Sequence, residues 1–555
     1  MPTADQRYEK LWKEFLGEHL RLEPVTATTL GMHGYDGQWP DVSAAGEAAA
    51  AAMYESTSAA LRAIPASELS PAHWLDAEIL ANALAQEKFE REELRVTETN
   101  PLFYVGLLGS GLDPLLTRDF APAAERARSL AARLATVPPV VAAARARLQH
   151  PPRVYTETAI RQNKGLVGLV DGNFAEILAQ APEEKDAVLA AAKHASAALH
   201  ELQTFLERDL LARSDGDFRV GKDKLAALLR LHLDADVDPD ALVAQARAYL
   251  ARTQDEMADV AKELWPELMK KKPLPDVSTP AAKKKLVRAV LARLAEDRPT
   301  NATVVADGTK LLAEATEFVR RHDLVGLPTE PCKVMEMPEY ERGVAVAYCE
   351  SSGPLEPKQE THITLSPTPA DWPAARVTSF FREYDHSMLA DLIVHEAMPG
   401  HYLQAMHANS FRGSPRTIFT NGSFEEGWAV YGEWLMARHG FGGPRVRMQR
   451  LKMLARVCVN AILDHEIHAG AMDEKAALDL METEGFQEEG EATGKWIRAR
   501  VSHGQLSTYF YGFSEFMKLR EAAESRPGFS ERAFNDLLLS FGSPSMHQLR
   551  ASLTR

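Results

Sequence analysis

The chain has 555 residues, with 63 Lys and Arg against 78 Asp and Glu, a formal net charge of −15. Hydrophobic residues make up 45% and charged residues 25%, an ordinary globular mix, and the acidic balance excludes the broad basic face that nucleic-acid binding needs. Cys332, Cys349 and Cys458 are too few and too scattered for a disulfide framework or a Cys-rich metal site, so a bound metal falls to His and carboxylates.

The opening segment MPTADQRYEKLWKEFLGEHL alternates charged and apolar residues at helical spacing and holds no apolar targeting run. No segment approaches the roughly 20 apolar residues that span a bilayer. The expectation is a cytoplasmic protein without a membrane partner. Ala, Leu, Glu, Arg and Lys recur at three and four residues, predicting helices over 183–208, 239–264 and 279–296. The Ala-rich stretch 44–52 reads as a closely packed helix, and no 20–50-residue period marks a solenoid.

Between Cys332 and Pro367 the pattern changes. GVAVAY and THITLS are β-branched and aromatic, with Gly and Pro between them, and predict a small antiparallel sheet. THITLS reads as an edge strand, either a peptide-pairing edge or a plain capped one. Helices resume over 385–408, 423–439, 445–469, 473–483, 488–502, 505–524 and 531–540. With no Ser/Gly-rich linker, residues 1–555 read as one mostly α unit. It comprises a helical lobe (1–330), a small β-sheet (331–370) and a helical metal-site lobe (371–555).

The strongest chemical signal is His395-Glu396-Ala397-Met398-Pro399-Gly400-His401. In H-E-x-x-H the two ligands sit at i and i+4 on one helix face, with Glu as general base. Here the second His is at i+6, which on a regular helix lies about 240° around the axis. Pro399 has no N–H for the His395 carbonyl, so a distortion or π-bulge at 396–400, eased by Gly400, would bring His401 beside His395. A third ligand is sought among Glu425, Glu426 and Glu433. Glu426, 25 residues past His401, is chosen because a His, His, Glu set leaves zinc an open position. Glu425 and Glu433 read as solvated or capping acids.

HEAMPGHYLQ followed by EGWAVYGEWL resembles the signature of the DUF885 family of bacterial proteins. PVTATTLG at 24–31, Arg456 with DHEIH at 464–468, and GQLSTYFYG at 504–512 resemble further family segments. Departures are His465, Glu466, Phe510 and His503, where the family pattern has a small residue, Gly, Lys and Pro. The family is thought to belong with gluzincin-like metallopeptidases. The resemblance thus implies a fold similar to M32 carboxypeptidases, M3 oligopeptidases and angiotensin-converting enzyme: a large two-lobed helical body with a central channel beside a small sheet. On that analogy His395, His401 and Glu426 hold Zn2+ and Glu396 is the base.

Such chemistry also needs an oxyanion donor and a substrate anchor. The resemblance points to Tyr509 as donor and to His503 as a further catalytic candidate. Tyr511 reads as core. Asp464 and His468, four apart on one helix face, are either a surface pair or supports for a ligand imidazole. Arg456 and Arg498 are candidates for a substrate carboxylate. His362, His386 and His407 read as structural. The expected activity is zinc-dependent hydrolysis of short unstructured peptides, of the dipeptidase, carboxypeptidase or oligopeptidase type. The alternatives are a metal-dependent hydrolase of another small amide, or a non-enzymatic helical metal- or peptide-binding protein. Other divalent metals fit the same donors, and oligomeric state is unreadable.

Overall fold

A computed structural model of the protein describes residues 2–172, 174–270, 272–337, 346–357 and 360–555. Helices dominate, as the periodicity requires. Their starts follow local chemistry. The Asp238 side chain accepts from the Asp240 N–H at the head of Pro239–Met269, and Thr279 accepts from Ala282 at the head of Pro280–Leu294. The 183–208 expectation corresponds to Lys185–Thr204, which continues into a wider turn, Phe205–Leu210.

Two large hydrophobic clusters form. One runs from Val42 to Leu210 over the early helices. The other runs from Leu225 to Leu549. Helices between 222 and 322 therefore share a core with the metal-motif helices, and the cores do not divide at residue 330. The long helix Pro239–Met269 packs along Gly443–His468, and Gly422–Arg438 packs along Gln505–Glu524.

The sheet has three strands: β1 (Cys332–Glu336), β2 (Ala347–Ser351) and β3 (Thr361–Leu365). Its order is β1-β3-β2, with β1 parallel and β2 antiparallel to β3. The expectation of a purely antiparallel sheet is thus corrected to a mixed one. THITLS is not the edge but the centre. Alternation reveals strands, not their partners. Ile363 and Leu365 are fully buried, and Leu365 seats so closely on Gly308 of the helix Val304–His322 that a Cβ there would lie 2.2 Å from it. The GVAVAY segment is described from Val346, and its first residues lie outside the described residues.

A cavity of about 1790 Å3 lies along the sheet, lined by Lys333, Tyr348, His362 and Thr316 among others. Met398 and Tyr402, on either side of the second motif histidine, also line it.

Candidate metal centre

The expected helix over 385–408 is two helices, His386–Glu396 and His401–Ala408, with a break at 397–400 instead of a bulge. At the break the chain folds onto the first helix's end. Ala397 N–H donates to Ile393 O at 2.9 Å, and Gly400 N–H to Val394 O at 3.0 Å. A Cβ on Gly400 would lie 1.8 Å from the His395 carbonyl oxygen, so this turn needs glycine. The buried Trp428 indole N–H donates to Pro399 O at 2.8 Å and pins the break from the neighbouring helix.

The break sets the His395 and His401 rings edge to face, with centroids 4.8 Å apart. Glu426, on Gly422–Arg438, points Oε2 between them, 3.6 Å from His395 Nε2 and 3.5 Å from His401 Nε2. One donor atom from each residue lies within 4.8 Å of the others. Ligands about 2.0–2.2 Å from a tetrahedral zinc lie about 3.3–3.6 Å apart, so the set fits a divalent ion after small side-chain shifts.

Electrostatics agree with that fit. Glu426 Oε2 is buried with no hydrogen-bond partner. Burial pulls both imidazole pKa values down, but Glu426, joined at His395 by Glu433, reverses this and raises them. Burial pushes the Glu426 pKa up, and its two imidazole neighbours overcome that and hold it well below the carboxylate range. The pocket therefore favours added positive charge.

Glu433 is the support that sequence reasoning missed. It is only 1% exposed, neither solvated nor capping, and its Oε1 lies 2.7 Å from His395 Nδ1. That contact directs Nε2 toward Glu426 and His401. The i,i+7 spacing from Glu426, two turns along one helix, was the available signal. Glu433 acts through space on the buried Arg450 and Asp391. Glu425 is also not a solvated acid: burial raises its pKa, opposed by His401.

Glu396 adjoins the first ligand. Burial raises its pKa, against the pull of His401 and His395, and the Cys349 N–H of β2 donates to its Oε2 at 3.0 Å. Tyr509 lies on Gln505–Glu524, whose Gly512 packs against Ser423 and Gly427 of the Glu426 helix. Glu426 and Arg498 both act on its phenol, and Arg498 Nη2 donates to its Oη at 3.2 Å. Burial raises the Tyr509 pKa, keeping the phenol protonated. The approach depends on two glycines: a Cβ on Gly512 would lie 1.9 Å from Ser423 O, and one on Gly427 would lie 2.5 Å from Gly512.

Other candidates are placed elsewhere. Asp464 and His468 are both buried, so they are not a surface pair, and neither contacts a ligand imidazole. Asp464 accepts from Gly504 N, Ser507 N and Ser507 Oγ at 2.9, 3.0 and 2.7 Å, which caps the Tyr509 helix. His468 Nε2 meets Ala499 O at 2.7 Å. His503 Nε2 meets Tyr155 Oη at 2.8 Å and its ring packs on His468, away from the ligands. Arg456 is buried and committed: it donates to Glu383 at 3.2 Å and also pairs with Glu491. Arg498 is exposed, and among the described residues its guanidinium bonds to Gln505 and Tyr509. His386 and His407 make structural contacts, to Asp297 and to the Gly326 carbonyl.

The fold is similar to two solved structures. One is described as a candidate lipoprotein of unknown function from Shewanella oneidensis, with TM-score 0.80 and 28% identity, covering 99% of this chain and 100% of that one. The other is a candidate lipoprotein from Colwellia psychrerythraea, with TM-score 0.82 and 16% identity, covering 100% and 99%. A comparison with curated proteins finds no match. The DUF885 profile, described as a bacterial protein of unknown function, matches residues 24–553, and the chain belongs to that family.

Proposed function

We propose that the protein is a zinc-dependent metallohydrolase, a peptidase that cuts short unstructured peptides. The observation that carries this reading is the convergence of His395, His401 and Glu426 with Glu396 beside them. Zinc held there supplies Lewis acidity, lowering the pKa of water to about 7 and polarising a carbonyl. Other divalent ions suit the same donors.

The chain's own groups supply the rest. Glu396 takes the proton of the attacking water and passes it to the leaving amine. Its raised pKa brings it nearer the operating pH, as general acid–base exchange needs. The Cys349 N–H holds one carboxylate oxygen while this exchange proceeds. Tyr509, accepting from Arg498 and still protonated, donates to the substrate oxygen as charge develops there. A donor of this kind contributes about 3–4 kcal/mol. Glu433 keeps the His395 tautomer that presents Nε2.

Elemental analysis of purified protein and an assay on a mixed peptide library, beside Glu396→Gln, test this. The expected result is one zinc per chain, and cleavage that Glu396→Gln lowers by at least about 100-fold while metal is retained. A protein that takes up no divalent metal, or cleavage indifferent to Glu396→Gln, overturns the proposal. Metal uptake with hydrolysis of non-peptide amides only shifts it to another substrate.

A further inference from the structure

The helix Glu489–Val501 carries Lys495 and Arg498 one turn apart on one face. Lys495 is only 9% exposed. Among the described residues it has no hydrogen bond and no ion pair. The neighbouring acids are already engaged: Glu383 pairs with Lys452 at 2.9 Å and Arg456 at 3.2 Å, and Glu491 pairs with Arg456. Arg498 likewise meets no carboxylate, only Gln505 Oε1 at 3.0 Å and Tyr509 Oη at 3.2 Å. Glu426 acts through space on both cations, weakly beside burial.

An ammonium so little exposed to solvent and without a carboxylate partner is costly. Burial first, then Arg456, pulls the Lys495 pKa down to about 7. A carboxylate arriving between the two side chains would restore the charge. The ammonium and the guanidinium suit it differently, one as a point charge and the other as a planar fork. Tyr509, bonded to Arg498, ties this place to the reacting centre.

We infer that Lys495 and Arg498 form a carboxylate-binding subsite beside the metal cluster, which takes the free C-terminus of the substrate and directs cleavage to that end. This rests on the peptidase reading for its cleavage part, but the subsite itself is read by binding. It also replaces Arg456, which is fully paired, as the partner of Arg498.

The test uses the full chain loaded with zinc and matched short peptides, each as free acid and as C-terminal amide. The free acid is expected to be cleaved at least tenfold more efficiently, with release of C-terminal residues. Lys495→Met and Arg498→Met are expected to abolish that preference through KM, and Lys495→Arg to keep it. Equal cleavage of acid and amide by the unaltered protein overturns the subsite while leaving the peptidase reading intact. Should no peptide be cut, calorimetric binding of the same pairs to Glu396→Gln protein decides. Tighter binding of the acid, lost on adding Lys495→Met, supports the subsite without the peptidase. Equal affinity of acid and amide overturns it. Unfolding curves for each variant separate loss of binding from loss of fold, with Lys495→Arg as the charge-retaining control.

Discussion

At the scale of single residues, the orientation of His395 depends on a carboxylate that is not a ligand. Glu433 holds Nδ1 at 2.7 Å, so Nε2 faces Glu426. Partners of this kind typically set metal affinity by 10–100-fold. Glu433→Gln is therefore expected to weaken zinc binding by about that factor with the fold retained, as read by competition with a chelator of known affinity. Arg456 illustrates the opposite case. Chemically it suits a substrate carboxylate, yet Glu383 and Glu491 occupy it. Arg456→Met would leave the half-buried Glu491 without its guanidinium and the buried Glu383 with Lys452 alone, a change that costs about 1–3 kcal/mol. Urea unfolding should show that loss. A variant of unchanged stability but raised KM would return Arg456 to the substrate-binding role. Nothing in the motif spelling separates Arg456 from Arg498, because pairing partners come from helices far apart in sequence.

At the scale of elements, the unusual i+6 spacing becomes a converged His395, His401 and Glu426 cluster through a helix break. The missing N–H of Pro399 points to a distortion within one helix, and the structure carries it further, to a break between two. Its form was not legible, since it depends on Trp428 and on the space beside the His395 carbonyl. Gly400→Ala must move the turn, because the new Cβ meets backbone at 1.8 Å. We expect a loss of about 1–3 kcal/mol by chemical denaturation, together with impaired metal uptake. Gly512→Ala acts on a different contact. It pushes the Tyr509 helix off Ser423, so its expected signature is reduced turnover with metal binding largely kept. Metal loss equal to that of Gly400→Ala would contradict this division.

At the scale of the whole molecule, acid sensitivity follows from histidines buried without charge. Burial lowers the His19 pKa to about 4 and the His503 pKa to about 3, with His468 adding to the latter. The unfolded chain binds these protons near pH 6.5 and the folded chain does not, so stability falls as pH drops from about 6.5 toward those values. Each group loses about 1.4 kcal/mol per pH unit across that window, or about 2 kcal/mol between pH 6.5 and 5. Thermal unfolding from pH 7 to 5 should show the decline, and His503→Gln should make it shallower. An unchanged slope in that variant would mean His503 is not buried in its neutral form. The same cluster bears on mechanism. His503 lies with His468 and Tyr155, far enough from the ligands in contact terms that its effect should appear in stability.

The sequence by itself determined the helical class, most limits of the helices it assigned, and the cluster of His395, His401 and Glu426 with Glu396 beside them. Those features follow from local periodicity, capping chemistry and a short motif, all read within one or two turns of chain. Tertiary structure alone decided the sheet order, the orienting role of Glu433, the capping role of Asp464 and the commitment of Arg456. It also decided the isolation of Lys495. Each depends on which distant element arrives opposite a side chain. A residue's charge is written in the chain, but whether that charge is already paired is a property of the packed molecule.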